Sequence, residues 1–281
     1  MKTSPTTFEQ RIRAALLDVV YAQWREFGLP FNPSLPPNGL EVIDPEALIW
    51  CSLEFLPSEP RLAEGVHAWI EANRARIIRQ RLNRSAAEPD VRSEMWHAID
   101  SRRRRSTGRG IELKELRPIG KQSTNAATLL LRARDLLGND GRSFLIVSLI
   151  GSPRGIRLRD VSNWTGYSYR SLAEAAAAWE RAGVVRVQSG HCILLHPAPW
   201  HQLLGCEANE VVTVAWHAVY GATIKLLRTL LKAQEHDFPA DHPLVKSEID
   251  AARMLLGAAT VAAGNTQTPA LAHLQEALVV K

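Results

Sequence analysis

Cysteine is scarce in this sequence. Its 281 residues include three cysteines, Cys51, Cys192 and Cys206, and none belongs to a Cys-x-x-Cys pair. A disulfide framework is therefore not expected, because it needs many cysteines at regular spacing. Isolated thiols are typical of a reducing compartment, so the sequence predicts a cytoplasmic protein.

Long apolar stretches are also missing. No apolar run approaches the roughly 20 residues that a membrane-spanning helix needs, and the first residues lack the apolar core of a secretion signal. Hydrophobic residues nevertheless make up 46% of the chain, which is ample for buried cores. We therefore expect a globular protein that has no membrane partner.

The common short catalytic motifs are absent from the sequence. It contains no Gly-x-x-x-x-Gly-Lys, Gly-x-Gly-x-x-Gly, His-Glu-x-x-His or Gly-x-Ser-x-Gly. The stretch from Gly151 to Gly155 is only superficially similar to a phosphate-binding loop, because no Lys-Ser or Lys-Thr pair follows it. The sequence predicts neither an enzyme nor a cofactor.

Histidines and cysteines do cluster after residue 190. They are His191, Cys192, His196, His201 and Cys206. Zinc ligands converge tetrahedrally and usually include a closely spaced pair of cysteines, which this cluster lacks. Cys192 also fits a small core residue on a strand, so no metal site is predicted.

Positive charge is concentrated in one region. Residues 74–121 contain fourteen lysines and arginines against six acidic residues, whereas the whole chain has a net charge of +5. Four consecutive arginines, Arg102, Arg103, Arg104 and Arg105, lie in this region. They could form an arm that enters a narrow minor groove of DNA, where negative potential attracts arginine, or an ordinary solvated linker.

The segment 158–187 carries the pattern of a helix, a tight turn, a second helix and a strand. Leu158, Val161 and Trp164 recur every three residues and predict one buried stripe on a short helix. Gly166 can adopt the left-handed conformation that reverses a chain at a helix end. This order is typical of a helix-turn-helix.

The second helix of this pattern is predicted to begin after Ser168, which can cap it, and to end at Gly183. Its buried side is predicted from helical spacing. The residues of this side are Leu172, Ala175, Ala176, Trp179 and Ala182.

A β-hairpin is predicted directly after the second helix. The stretch 184–187 is rich in valine, Gln188-Ser189-Gly190 forms a turn signal, and 192–195 is the returning strand. Upstream, Arg142–Ile150 would supply a further helix, although its composition also suits a strand and periodicity does not separate the two.

This segment, from about Gly141 to His196, resembles the winged-helix domains of bacterial MarR-like and ArsR-like transcription regulators. The resemblance rests on Val161-x4-Gly166-Tyr-Ser-Tyr-Arg-Ser-Leu172 and on Trp179-x-x-Ala-Gly-Val-Val185. It implies that the second helix and the hairpin, or wing, contact DNA.

More loosely, the whole chain is similar to uncharacterised bacterial winged-helix proteins often encoded beside a nucleotidyltransferase. That likeness rests on Asp44-Pro-Glu-Ala-Leu48, Ala68-Trp-Ile70 and Trp200-x-x-Leu-Leu204.

Candidate DNA contacts follow from this resemblance and from residue chemistry. Arginine bonds bidentately to guanine, and serine and tyrosine hydroxyls commonly hold phosphates. The candidates are Ser168, Tyr169, Arg170 and Ser171 on the second helix, Arg154 and Arg157 before it, Arg186, Gln188, Ser189 and His191 on the wing, and Arg102 to Arg105. The rest of the exposed helix face is rich in alanine, which keeps a protein partner as an alternative.

The predicted fold is mainly α, a winged helix-turn-helix with flanking helical domains and one small β-hairpin wing. The predicted parts are a helical N-terminal domain at 1–84, which could hold a second helix-turn-helix, a basic linker at 85–124, the winged helix-turn-helix at 125–204, and a C-terminal helical segment at 205–281.

Two of the predicted flanking helices have alternative roles. A basic helix at 74–84 is expected to bury Ile77, Ile78 and Leu82 and to turn its arginines outward, for DNA contact or solvation. A long amphipathic helix at 207–234 either forms a dimer interface or completes the core of the monomer.

The leading hypothesis is a transcriptional regulator that binds double-stranded DNA as a homodimer, because one winged helix alone offers few contacts. The alternative is a protein-binding adaptor or antitoxin-like partner of a neighbouring gene product in a bacterial defence or toxin–antitoxin system. A third hypothesis is a component of a larger assembly that binds nucleic acid without sequence specificity.

Overall fold

The computed structural model describes residues 5–37, 39–85, 125–207, 211–236, 238, 242–262 and 268–279. These parts are mainly helical, as the sequence predicts. The predicted linker, with Arg102 to Arg105, lies outside the described residues except for its first residue. Within the described ranges, no helix combines the length and the apolar character needed to cross a membrane.

Helices make up the N-terminal part. They are α1 (Pro5–Glu26), α2 (Pro45–Leu53), α3 (Pro60–Ala72), a 3₁₀ turn (Arg74–Arg76) and α4 (Arg79–Ser85). Asp44 caps α2 by accepting a hydrogen bond from the Ala47 amide, and Pro45 occupies the first helical position, where its missing N–H costs nothing. An aspartate followed by proline is a strong helix-start signal in a sequence, and α2 begins at this pair and ends at Leu53.

The prediction of one basic helix with outward arginines at 74–84 is wrong in two respects. The chain forms a 3₁₀ turn and then α4, with Ile77 extended between them. Arg81 on α4 is 3% exposed, because it meets buried carboxylates from another part of the chain. Helical spacing gave no sign of those partners.

The C-terminal helices pack onto the N-terminal ones. They are α10 (Trp216–Glu235), α11 (Pro243–Ala262) and α12 (Pro269–Ala277). Leu16 and Val19 of α1 share one buried core with Val219 and Leu226 of α10. The apolar face of the long predicted helix thus completes the core of its own chain.

Helix α10 begins nine residues later than the predicted helix at Glu207. The residues before it include a short strand, β5 (Val212–Thr213), that pairs in parallel with β1 (Glu41–Val42). Strands of two residues are too short to show an alternating pattern, so the sequence gave no signal for this pairing.

A second core lies in the central part of the chain. Its elements are a 3₁₀ turn (Ala126–Thr128), α5 (Leu129–Leu137), α6 (Gly141–Ile150), β2 (Ile156–Arg157), α7 (Leu158–Thr165), α8 (Tyr169–Arg181), β3 (Val185–Gln188), β4 (His191–Leu194) and α9 (Pro197–Leu204). Helix α6 is capped by Asp140 and buried almost all round, which explains its strand-like composition. Helix α9, which starts with Pro197 at a first-turn position, was not predicted.

The central strands form one antiparallel sheet in the order β2-β4-β3. Strands β3 and β4 are joined by a two-residue turn in which Ser189 and Gly190 have φ angles of 50° and 74°. Two positive φ angles are typical of a tight hairpin turn that follows the twist of the strands. The hairpin lies where the valine-rich pattern predicted it.

Candidate nucleic-acid interface

The junction between α7 and α8 is built by a glycine and a serine. Gly166 ends α7 in the left-handed conformation, with φ of 68°. The Ser168 hydroxyl then accepts a hydrogen bond of 3.1 Å from the Ser171 amide and caps α8. The two serine hydroxyls also lie 2.7 Å apart. The predicted turn and cap are therefore present.

Helix α8 buries one side and exposes the other. Leu172, Ala175, Ala176 and Trp179 are buried as predicted. Ala182 is exposed, contrary to expectation, because α8 ends one residue before it. The outer side begins with Tyr169, which is half exposed. This side is available to a partner.

Arg170 and Glu174 form an ion pair on the outer side of α8. The Arg170 Nε atom lies 2.8 Å from Glu174 Oε1, and their side chains are 88% and 64% exposed. The hydrogen bond to Glu174 raises the pKa of Arg170, so the guanidinium is charged at any physiological pH. Glu174 was not among the predicted contact residues.

The sheet gathers four predicted contact residues on one face. Arg157 on β2 is in register with His191 on β4, and His191 with Gln188 on β3. Arg186 lies two residues from Gln188 on the same strand and therefore points to the same side. The opposite side carries Cys192, which is buried in the central core. We call Arg157, Arg186, Gln188 and His191 the outer sheet face.

The loop before β2 brings Arg154 close to this sheet. At Gly155, with φ of 84°, a Cβ atom would lie only 2.5 Å from the Cys192 carbonyl oxygen. The loop is thus pressed against β4, and exposed Arg154 is adjacent to this contact. Ser189 lies at the tip of the hairpin turn. The structure thus places the predicted residues that it describes, all except Arg102 to Arg105, on two surfaces: the start of α8, and the outer sheet face with its neighbouring loops.

Three arginines around the sheet form no ion pair in the described part of the chain. Among the described residues, no carboxylate forms an ion pair with Arg154, Arg157 or Arg186, and all three residues are exposed. The segment 141–196 contains seven arginines against three acidic residues. This part of the molecule therefore offers unpaired positive charge to a ligand.

A buried ion cluster lies behind the α7–α8 turn. Arg81 donates to Glu46 Oε2 at 2.5 Å and to Asp44 Oδ1 at 2.9 Å, and Arg134 binds the Glu46 carboxylate at 2.7 and 2.8 Å. Burial alone would raise the pKa of Asp44, but the adjacent Arg81 holds it below its ordinary value. Two cations thus balance two anions.

The ion cluster is joined to the α7–α8 turn through Arg81. Its Nε atom donates to the Thr165 carbonyl oxygen at 3.2 Å, and its guanidinium lies 4.2 Å from the centre of the Tyr167 ring. Burial raises the pKa of the Tyr167 hydroxyl, so that group is neutral. Asp44 and Arg81 were missed as a pair because they lie 37 residues apart in the chain.

Two of the histidines and cysteines after residue 190, His201 and Cys206, are in contact in the structure. Cys192 is buried, whereas His196 is exposed. Cys206 Sγ lies 3.6 Å from His201 Nδ1. In the part of the chain that the structure describes, no three histidine, cysteine or acidic side chains are placed to hold a metal ion.

An open groove runs beside α8. Its walls come from the start of α4, the start of α6 and the flank of α8. Both polar and apolar side chains line it, including Ile78, Gln80, Arg142, Ser171 and Ala178.

Comparison with known proteins gives no relative from which a function could be transferred. No protein-family model, curated protein or solved structure significantly matches the chain. The functional assignment therefore depends on the shape and charge of the surfaces described above.

Proposed function

We propose that the chain is a DNA-binding transcriptional regulator in which residues 141–195 act as a winged helix. The observation that carries this proposal is the order of α6, β2, α7, α8 and a hairpin, combined with unpaired arginines on the outer sheet face. A helix-turn-helix with this order presents its second helix to the major groove. Exposed cations without acidic partners favour a polyanionic ligand.

In this proposal, α8 and the hairpin have different tasks. Arg170 and Tyr169, which are exposed at the start of α8, are proposed to contact base edges. Ser171 and the arginines of the outer sheet face contact phosphates, which fix the register of the protein on DNA. Ser168 acts mainly through the cap, because its hydroxyl is already engaged.

A homodimer on double-stranded DNA is part of this proposal, since a second half-site about one helical turn away adds contacts. The apolar face of α10 is already buried within its own chain. The dimer therefore requires another surface. The oligomeric state of the protein should be measured with and without DNA.

The first experiment selects bound fragments from a random genomic library and measures affinity against salt concentration. A regulator enriches a specific site, and its log affinity falls by about 0.9 for each phosphate contact per unit of log salt. Replacing both Arg157 and Arg186 with alanine should reduce this slope by about 2. The matched control is Lys225→Ala, an exposed cation on α10 that pairs with Glu248 and should leave the slope unchanged.

Three outcomes separate the hypotheses. Enrichment of one site supports the regulator, whereas retention of all fragments without enrichment supports a component that binds nucleic acid without sequence specificity. If no fragment is retained even at low salt, the chain does not act by binding DNA.

The second candidate is a protein-binding adaptor or antitoxin-like partner of a neighbouring gene product. The groove beside α8 favours it, because polar and apolar side chains line the groove together, as they do in the contact surfaces of protein partners. Ala178→Arg would block this groove and should abolish binding to the product of the adjacent gene, measured by calorimetry. Binding that survives Ala178→Arg would contradict a role for the groove.

A further inference from the structure

Arg170 is held by Glu174 through one particular atom. Glu174 lies one helical turn after Arg170, and its Oε1 atom accepts the hydrogen bond from Nε at 2.8 Å. Because Nε is the inner nitrogen of the guanidinium, the two terminal nitrogens keep their donors free. The Arg170 side chain is 88% exposed, so these donors face the solvent.

A guanidinium held in this way matches one base. Guanine presents O6 and N7 side by side in the major groove, and arginine recognises this pair with two parallel hydrogen bonds. An unrestrained arginine can also turn to a phosphate, which carries no sequence information. The carboxylate of Glu174 stabilises the orientation in which both terminal nitrogens point outward.

Glu174 also places a negative charge on a surface that would face DNA. This charge repels the phosphate backbone of every sequence, and its side chain is 64% exposed. It therefore lowers the affinity for non-specific DNA. At a specific site, the hydrogen bonds between a guanine and Arg170 offset this loss of affinity. A difference between two affinities is what specificity requires.

We propose that Glu174 is a specificity-determining residue that positions Arg170 for guanine and disfavours non-specific binding. This inference rests on the proposed DNA-binding function. It extends that function to a residue that makes no base contact itself, and it predicts one guanine whose recognition depends on both side chains.

The test uses the full chain and the DNA site selected from the genomic library. Affinity is measured for that site, for variants with each guanine replaced, and for unrelated DNA. In Glu174→Ala, preference for one guanine should fall about 10-fold, which corresponds to about 1.4 kcal/mol, and affinity for unrelated DNA should rise. In Arg170→Ala, the same preference should be lost, and adding Glu174→Ala should cause no further loss.

Glu174→Gln provides a conservative variant. Its amide oxygen can still accept the bond from Arg170, so guanine preference should largely return, while affinity for unrelated DNA stays raised. Glu71→Ala is the matched control, because Glu71 pairs with Arg74 on the surface at 3.4 Å, outside this segment, and should change neither quantity.

The inference fails if Glu174→Ala changes the affinity for all sequences by the same factor, or if the chain recognises a site without preferring guanine at any position. In both cases DNA binding itself persists, and the proposed function stands. If the wild-type chain binds no DNA, the proposed function fails and the inference fails with it.

Discussion

Arg81 shows how far the environment of one residue can depart from what its type suggests. An arginine on a short polar helix is usually solvated, yet this side chain is 3% exposed and contacts two carboxylates, a carbonyl oxygen and an aromatic ring. A buried cation is tolerated only when its charge is balanced and its donors are satisfied. The two acids of the cluster, Asp44 and Glu46, are both close to the start of α2.

We predict that Arg81→Met strongly destabilises the protein. It leaves Asp44 buried without its main cation, and such changes typically cost about 3–5 kcal/mol. Urea unfolding measures the effect. The control is Arg74→Ala, which removes a surface pair with Glu71 and should cost about 0–1 kcal/mol. Equal effects from the two substitutions would mean that the buried ion cluster does not hold the fold.

At the scale of elements, the glycine that ends α7 does two things. It adopts a left-handed conformation, and it leaves room for His217 from α10. His217 in turn stacks on Trp50 of α2, with ring centres 5.4 Å apart. The α7–α8 turn is therefore fixed by neighbours from both ends of the chain.

We predict that Gly166→Ala costs more stability than Gly183→Ala. Both glycines have left-handed backbones, with φ of 68° and 71°, so each substitution should cost about 1–2 kcal/mol. At Gly166 the new Cβ would also lie 3.1 Å from His217 Nε2, whereas nothing lies within 4 Å at Gly183. Denaturant midpoints of the two variants measure the difference. Equal losses of stability in the two variants would show that His217 moves aside without an energetic penalty.

The elements that the sequence predicted correctly are those with strong local signals. Helix α2 has an aspartate cap and a proline at its first position, and the hairpin has a turn sequence between two apolar runs. The short pairing of β1 with β5 and the helix α9 have no comparable signal. Their formation depends on which parts of the chain meet in space.

At the scale of the whole molecule, α10 joins the two ends of the chain. Its buried face packs with α1 in one core, and the Tyr220 hydroxyl donates to Gln23 Oε1 at 2.6 Å across 197 residues of sequence. An N-terminal part that shares its core with the C-terminal helices should not unfold separately from them.

We predict that Leu227→Ala in α10 weakens α1 as well. Leu227 is fully buried, and its truncation should cost about 2–5 kcal/mol. Hydrogen exchange followed by mass spectrometry should show faster exchange in both α10 and α1, since the two helices unfold together. The exposed α11 residue Met254 provides the control, because Met254→Ala should not change hydrogen exchange in α10 or in α1. Unchanged exchange in α1 would contradict the shared core.

The sequence by itself determined the starts of α2 and α8, the turn at Gly166, the buried side of α8 and the position of the hairpin. These depend on caps, backbone preferences and periodicity, which act over a few residues. Only the tertiary structure decided that Arg81 is buried, that α10 serves the monomer core, and that Arg157, Gln188 and His191 share one sheet face. Those outcomes depend on contacts between residues far apart in the chain. The spacing of residues within one segment does not identify such distant partners.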